Sequence, residues 1–349
     1  MSTTFDRKAL VAALATVTPA VSKLATNPVL AGVLIDVDEG VARLTCTDLD
    51  RTITTRLDAA GPAVRLCVGV RLLAKVVGSF KSDQVDLAVD GTDLVLTAGR
   101  ARATLPTMSV QEWPRLQTVD GEVFTLTAAD LDMVRRVVVA ASDDETRPIL
   151  TGVHFNGNTV EATTSYHLAS ATITADAPDF NVPAVTLRAV LDQVDGDVAV
   201  THERGRVEFF DGVTSWACRL IEDGYPNTGH LVPADRPVKV DVPIAEMLDL
   251  IAAANTVRAD KGAVVLSLTD TSMTLRSRTP DVGEVIGELD VEHEGDDLEV
   301  FGFNPHYMTS LLRAATGDTV RIEMVDRMRP AVFLDGDWMG LLMPVRVSV

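Results

Sequence analysis

The feature that most constrains this chain is that it runs through one pattern three times. The segment FDRKALVAALATV places Leu10, Val11, Leu14 and Val17 at helical spacing, and the pattern returns at Leu131, Val134 and Val138, then at Met247, Leu250 and Ile251. Each amphipathic helix leads into alternating, β-branched stretches, at 29–57, 149–173 and 262–279, that read as antiparallel strands. A second helix follows in each copy, around 71–80, 186–194 and 305–315, with Arg71, Arg188 and His306 in matching places 117 and 118 residues apart. Each copy closes with a strand pair turning on Gly99, Gly212 or Gly336, where a hairpin needs a residue that tolerates positive φ. Dividing 349 residues by three gives about 116, which matches the period. Polar or proline-bearing stretches at 116–122 and 232–237 separate the copies, so the expected domains are 1–120, 121–235 and 236–349. Recurrence of the same element order at nearly constant spacing marks three α+β domains of one design.

Composition closes off several functional classes. With 46% hydrophobic and 23% charged residues, the chain has the make-up of an ordinary folded protein, neither disordered nor fibrous. No apolar run approaches the ~18–20 residues that span a bilayer, and MSTTFDRK lacks the apolar core of a secretory signal, so a cytoplasmic protein is expected. Cys46, Cys67 and Cys218 are odd in number, far apart and without a CxxC pair, which reads as reduced, mostly buried thiols. Fifty acidic against 31 basic residues give a net charge of −19, which repels a polyanion at long range. Net charge alone does not fix how the basic residues are distributed.

The usual signatures of catalysis are missing. The sequence holds no GxGxxG, Walker loop, GxSxG elbow or HExxH, and the histidines at 154, 167, 202, 230, 293 and 306 never stand at i, i+4 spacing. No cofactor, metal or enzymatic activity is therefore expected. The acidic clusters at 36–40 and 335–337 lack a full calcium-ligand series and read as hairpin turns, while the acidic stretch at 142–146 reads as a solvated loop. Basic residues collect on the helices. Arg71 and Lys75 share one helix face, Arg135 and Arg136 lie off the apolar stripe of their helix, and Arg188 and Arg313 occupy related helices. Six helices facing one cavity would combine a basic lining with an acidic exterior.

At this point the residues resemble a known family, the bacterial sliding clamp or beta subunit of DNA polymerase III. The resemblance covers essentially the whole chain and is carried by LTCTDLD at 44–50, RPILTG at 147–152, TTSYHLA at 163–169, DGYPNTGHLVP at 223–233, FGFNPHY at 301–307 and GLLMPVRV at 340–347. It implies three repeated clamp domains per protomer and a head-to-tail homodimeric ring, with helices lining a channel for duplex DNA and sheets outside. Sequence-independent phosphate attraction inside such a channel reconciles DNA binding with the acidic total. On this resemblance the channel cations are Lys23, Arg71, Lys75, Arg135, Arg136, Arg188 and Arg313; Leu24 stands where family members often carry an arginine. The DNA polymerase catalytic subunit and the clamp loader are the implied partners, docking short peptides of glutamine, leucines and phenylalanine between the second and third domains.

The matching pocket positions are Leu150, Thr163, Leu168, Pro226, Leu231, Leu341, Leu342, Met343 and Pro344, rimmed by Arg147, Tyr166, His167, His230, Asn304, Tyr307, Val345 and Arg346. Leucine and phenylalanine anchors call for a preformed apolar slot with a few orienting polar groups. The dimer seam is expected at Ala103, Leu105, Asn255 and Thr256, where three of the four are smaller or more polar than the family's apolar side chains. That departure keeps a second reading open, a clamp-derived peptide-docking module without stable ring closure.

Overall fold

The computed structural model describes residues 2–22, 27–222, 224–259, 262–269 and 271–347, Glu299 by its backbone alone. The first copy of the repeat runs β1 (Thr3–Asp6), α1 (Arg7–Val17), β2 (Gly32–Asp38), β3 (Val41–Thr47), β4 (Arg51–Asp58), β5 (Val64–Gly69), α2 (Val70–Ser79), β6 (Gln84–Asp90), β7 (Asp93–Ala98) and β8 (Ala101–Met108). The second runs β9 (Glu122–Leu126), α3 (Ala128–Val137), β10 (Gly152–Thr163), β11 (His167–Pro183), α4 (Ala184–Leu191), β12 (Val198–Glu203), β13 (Arg206–Phe210) and β14 (Ser215–Arg219). The third runs β15 (Val238–Pro243), α5 (Ile244–Asn255), β16 (Val264–Leu268), β17 (Ser272–Thr279), β18 (Gly283–Asp290), β19 (Glu292–Glu294), β20 (Leu298–Phe303), α6 (Pro305–Ala314), β21 (Thr319–Met324), β22 (Ala331–Asp335) and β23 (Trp338–Leu342).

Local chemistry sets the helix ends. The Asp6 carboxylate caps α1 by accepting from the Ala9 N–H, Asn304 does the same for His306 at the start of α6, and Thr127 with Asp130 forms a reciprocal capping box on α3. The apolar stripes seen in the sequence are the buried faces: Leu10, Leu14 and Val17 on α1, Leu131 and Val134 on α3, Met247 and Ile251 on α5. Each such fully buried aliphatic side chain contributes about 1.5–3 kcal/mol. Helix α4 begins and ends earlier than the 186–194 expected from periodicity, and beyond its end the Gln193 and Val194 N–H groups both donate to the Val190 carbonyl. Gly99, Gly212 and Gly336 sit at the expected hairpins with φ of +59°, +98° and +59°.

Three copies in sequence gather into two compact units in space. Residues 1–126 join 189–220, and residues 127–188 join 221–349. The middle copy is split between them, since its strands pair in opposite directions along the chain. In the first unit β14 continues the sheet from β4, with Ile53 opposite Trp216, and one twelve-stranded antiparallel sheet results in the order β1-β6-β7-β8-β5-β2-β3-β4-β14-β13-β12-β9. Helices α1 and α2 pack together within that unit. In the second unit β11 pairs with β23, with Leu168 opposite Leu341, inside a seven-stranded sheet ordered β10-β11-β23-β22-β21-β15-β19. A four-stranded sheet, β18-β17-β16-β20, completes it, and α5 packs against α6.

Candidate functional site

The expected docking residues fall within the second unit, and several of them meet at the turn between β10 and β11. That turn is held by polar side chains: the Thr163 hydroxyl donates to the His167 carbonyl at 2.8 Å and accepts from the Ser165 N–H at 3.1 Å, and Ser165 takes a φ of +77°. A non-glycine residue there carries backbone strain, a frequent mark of a binding loop. The Arg147 guanidinium donates to the Ser165 hydroxyl at 3.2 Å and pairs with Asp144 at 3.3 Å, fixing the rim from the side. Asp144 lies below the ordinary carboxylate range because Thr146 and then Arg147 hydrogen-bond to it, so the acidic loop at 142–146 is a local anchor for Arg147.

An aromatic ladder crosses from this turn to the first turn of α6. Tyr307 stacks on the His167 ring at 4.4 Å and on Tyr166 at 6.1 Å. His167 is buried, and burial, with the nearby His306, lowers its pKa to about 4, so its ring is neutral at physiological pH. The C-terminal tail seals the other side. The Met343 N–H donates to the Tyr166 carbonyl at 2.8 Å and the Val345 N–H to the Gly302 carbonyl at 2.8 Å. Gly302 permits this approach, because a Cβ there would collide with Val347.

Exposure corrects the expected slot. Leu168 is 1% exposed, and Leu341, Leu342, Leu150 and Thr163 are also buried, so these residues form the floor rather than open anchor sites. Leu168, Leu341 and Leu342 lie on β11 and β23, which pair with each other inside the seven-stranded sheet and are not edge strands. Accessible apolar surface comes from Tyr166, 57% exposed, Met343, 36% exposed, and Val345. Pro226, His230 and Arg346 are exposed, Leu231 and Pro344 half-buried, and Asn304 spends its side chain on the α6 cap. Sequence reasoning passed over the residues that hold the Pro226–Leu231 stretch. Tyr225 stacks on His154 at 4.4 Å, and Thr228 donates to Glu161 at 2.6 Å. The signal that could have found them was a histidine and a glutamate, His154 and Glu161, on the one strand β10.

The first unit carries the same turn with different chemistry. Thr47 takes the place of Thr163, Leu49 has a φ of +81°, and the Arg219 N–H donates to the Asp50 carbonyl at 2.9 Å as Met343 does to Tyr166. There, however, the rim is an Asp50–Arg219 ion pair at 3.6 Å instead of a tyrosine and a methionine. Repetition built the frame twice, and side-chain choice made one rim apolar.

The cationic candidates divide into three groups. Arg71, Lys75 and Arg313 are exposed, and no ion pair engages them among the described residues. Arg135 pairs with Asp132 at 2.7 Å, and Arg188 reaches the Val138 carbonyl at 3.3 Å and Asp143 at 3.5 Å. Arg136 contradicts the expectation of a channel cation. Its side chain is only 10% exposed, donates to the Ala314 carbonyl at 2.7 Å, pairs with Asp335 at 2.6 Å and lies 5.1 Å from the Trp338 ring centroid. Burial pulls this guanidinium below its ordinary range while Asp335 offsets part of the effect, as expected for a charge that faces inward. Lys23, with its neighbour Leu24, lies outside the described residues.

At the expected seam, β8 pairs with β7 along its length but meets β5 only at Thr107 and Met108, leaving one edge open beside Ala103. Leu105 faces the interior of its own unit, which removes it from any accessible seam surface. Asn255 accepts from the Arg258 guanidinium and Thr256 donates to the Ala253 carbonyl, so both polar groups are satisfied locally. One edge strand of the second unit's four-stranded sheet is β18, which carries Ile286 at 60% exposure and was not singled out from sequence.

Among the described residues no group of three or more histidine, cysteine or acidic side chains is placed to hold a metal ion, and no helix is long and apolar enough to cross a membrane. Cys46, Cys67 and Cys218 are buried. Family models for the DNA polymerase III beta subunit match the chain in three parts, the N-terminal domain at residues 1–117, the central domain at 125–227 and the C-terminal domain at 229–343. The chain is 28% identical over 367 residues to the beta sliding clamp of Streptococcus pneumoniae, covering 96% of this chain and 97% of that protein. It is 26% identical over 381 residues to the beta sliding clamp of Bacillus subtilis, covering 99% and 100%. The crystal structure of the beta subunit from the DNA polymerase of Streptococcus pyogenes superposes with a TM-score of 0.92 at 25% identity, covering 99% of this chain and 100% of that one.

Proposed function

The chain belongs to the DNA polymerase III beta subunit family, and we propose that it works as a sliding clamp, two copies joined head to tail in a ring around duplex DNA. The observation that carries this reading is the end-to-end threefold repeat matched in order by the three family domains. We divide the domains at 120/121 and 235/236; the gap between the first two family matches, residues 118–124, fits the first boundary, while the third match begins at 229, a few residues before the second. The seam runs between the open edge of β8 in one copy and that of β18 in the next, each offering unpaired main-chain groups of the kind that edge strands use for association. Ala103, Asn255 and Thr256 then lie at or near the seam without supplying its main apolar contact, which falls to Ile286.

Arg71, Lys75, Arg135, Arg188 and Arg313 supply weak, sequence-independent attraction to phosphates, while the net charge of −19 keeps the remaining surface repulsive to DNA. The DNA polymerase catalytic subunit and a separate, ATP-driven clamp loader dock through short peptides onto Tyr166, Met343 and Val345. The protein performs no chemistry of its own, needs no cofactor and works in the cytoplasm. The second reading, a docking platform without stable closure, is favoured by the small or polar residues Ala103, Asn255 and Thr256. Native mass across a dilution series, together with residence on nicked circular DNA, tests the proposal. A dimer that persists at nanomolar concentration and stays on circles but leaves linear DNA supports the ring; a monomer at micromolar concentration with equal loss from both supports the platform.

A further inference from the structure

Three side chains from three parts of the second unit meet at His154. Its Nε2 lies 2.9 Å from Asp179 Oδ1 on β11 and its Nδ1 3.5 Å from Glu161 Oε1 further along β10. Tyr225 lies flat on the imidazole, centroids 4.4 Å apart and planes 9° apart, and Thr228 donates to the other Glu161 oxygen at 2.6 Å. Tyr225 and Thr228 belong to the stretch that carries Pro226, His230 and Leu231, three expected docking residues. We propose that His154 is a positioning residue for the docking site: protonated between Glu161 and Asp179, it clasps Tyr225 and thereby fixes the Pro226–Leu231 rim in a pH-dependent way.

The proposal rests on the docking reading above and follows from the donor count. Both carboxylates only accept, and only the imidazolium donates from both ring nitrogens, so the cation satisfies both partners while the neutral ring satisfies one. A cation under Tyr225 also gains from the π face of the phenol ring. The charged and titratable groups facing the ring are Glu161 on β10, Asp179 on β11 and Tyr225 on the clasped stretch. Burial alone would lower the His154 pKa, but the bonds and charges of Glu161 and Asp179 outweigh it and leave the ring more basic than an ordinary histidine. With the folded value raised, the clasp is complete below the unfolded value of about 6.5 and is released as pH rises through the folded value. Burial and the Glu161 charge keep the Tyr225 phenol neutral throughout.

The test uses the full chain and a fluorescent peptide bearing glutamine, leucine and phenylalanine anchors, with Kd measured from about pH 6 to about pH 9. The unaltered protein should lose about threefold to tenfold in affinity across that range, whereas His154→Asn binds weakly throughout without that component. Both proteins keep every other histidine, so the difference between the profiles isolates His154; identical profiles overturn the proposal. A second readout is independent of peptide. At one fixed pH near 6, amide exchange of residues 224–231 should be several-fold faster in His154→Asn and in Tyr225→Leu, and unchanged exchange in both overturns the clasp. Faster exchange with no peptide binding in any variant supports the clasp and refutes the docking reading instead.

Discussion

Replacing Arg136 with alanine separates a structural cation from a DNA contact, because the two roles predict opposite readouts. The side chain makes two bonds to carbonyls, at Ala314 (2.7 Å) and Asp335 (3.3 Å), one ion pair at 2.6 Å and one stacking contact on Trp338. Each hydrogen bond contributes about 1 kcal/mol net, the carboxylate pair somewhat more, and the cation–π contact about 0.5–2 kcal/mol. Thr316 still donates to Asp335 through its N–H and hydroxyl after the change, so the carboxylate is not orphaned and the penalty of an isolated buried charge is avoided. The sum is about 4–5 kcal/mol, which at roughly 2 kcal/mol per molar lowers the urea midpoint by about 2–2.5 M. The transition is followed through Trp338, whose indole N–H donates to the Arg136 carbonyl, and by exchange of amides in α3, α6 and the β22–β23 turn. Residence on circular DNA at low denaturant should not change. An unchanged midpoint combined with faster loss from DNA would refute the inward role and restore Arg136 to the channel.

Three further outcomes are expected. Tyr166→Ala and Met343→Ala should each weaken a clamp-motif peptide by about 1–3 kcal/mol, roughly five- to 150-fold, with the urea midpoint unmoved; Leu168→Asp should instead unfold the second unit, since it places a charge on a 1% exposed side chain. The combined change Arg71→Glu with Lys75→Glu should shorten residence on nicked circles and flatten its salt dependence by about one unit of slope for each phosphate no longer neutralised, and equal salt slopes would exclude both residues from DNA. For Asp130, burial alone would raise the carboxyl pKa, but donors from Thr174 and Thr127 outweigh it and hold the group below the ordinary carboxylate range. Its stabilisation is therefore present above the unfolded value of about 3.9 and lost as pH falls through the folded value, so Asp130→Asn should cost about 2–3 kcal/mol at neutral pH and less in acid. Urea titrations at both pH values check the sign.

Much of the fold is written in short-range chemistry. The apolar stripe of Leu131 and Val134, the Thr127–Asp130 capping box, the Asn304–Pro305 start of α6 and the glycines at 99, 212 and 336 each depend on residues a few positions apart, so reading along the chain finds them. The threefold period is legible for the same reason, since each copy carries its own signals. The docking residues were named through likeness of motif; of these, the structure brings Arg147, Thr163, Tyr166, His167, Tyr307 and Met343 together at the turn between β10 and β11.

What the tertiary structure decided was which partner each element found. No local pattern states that β14 continues the sheet from β4 while β11 takes β23, yet those two pairings turn three sequence copies into two spatial units and bury Leu168 and Leu341 as a floor. Arg135 and Arg136 are adjacent and chemically identical, but Trp338 and Asp335 lie some 200 residues away in sequence and claim only the second. His154 and Tyr225 meet in the same way across about 70 residues. Propensity and turn chemistry act over single turns and hairpins, whereas the direction of a side chain and the charge it faces are set by strands paired from distant parts of the chain.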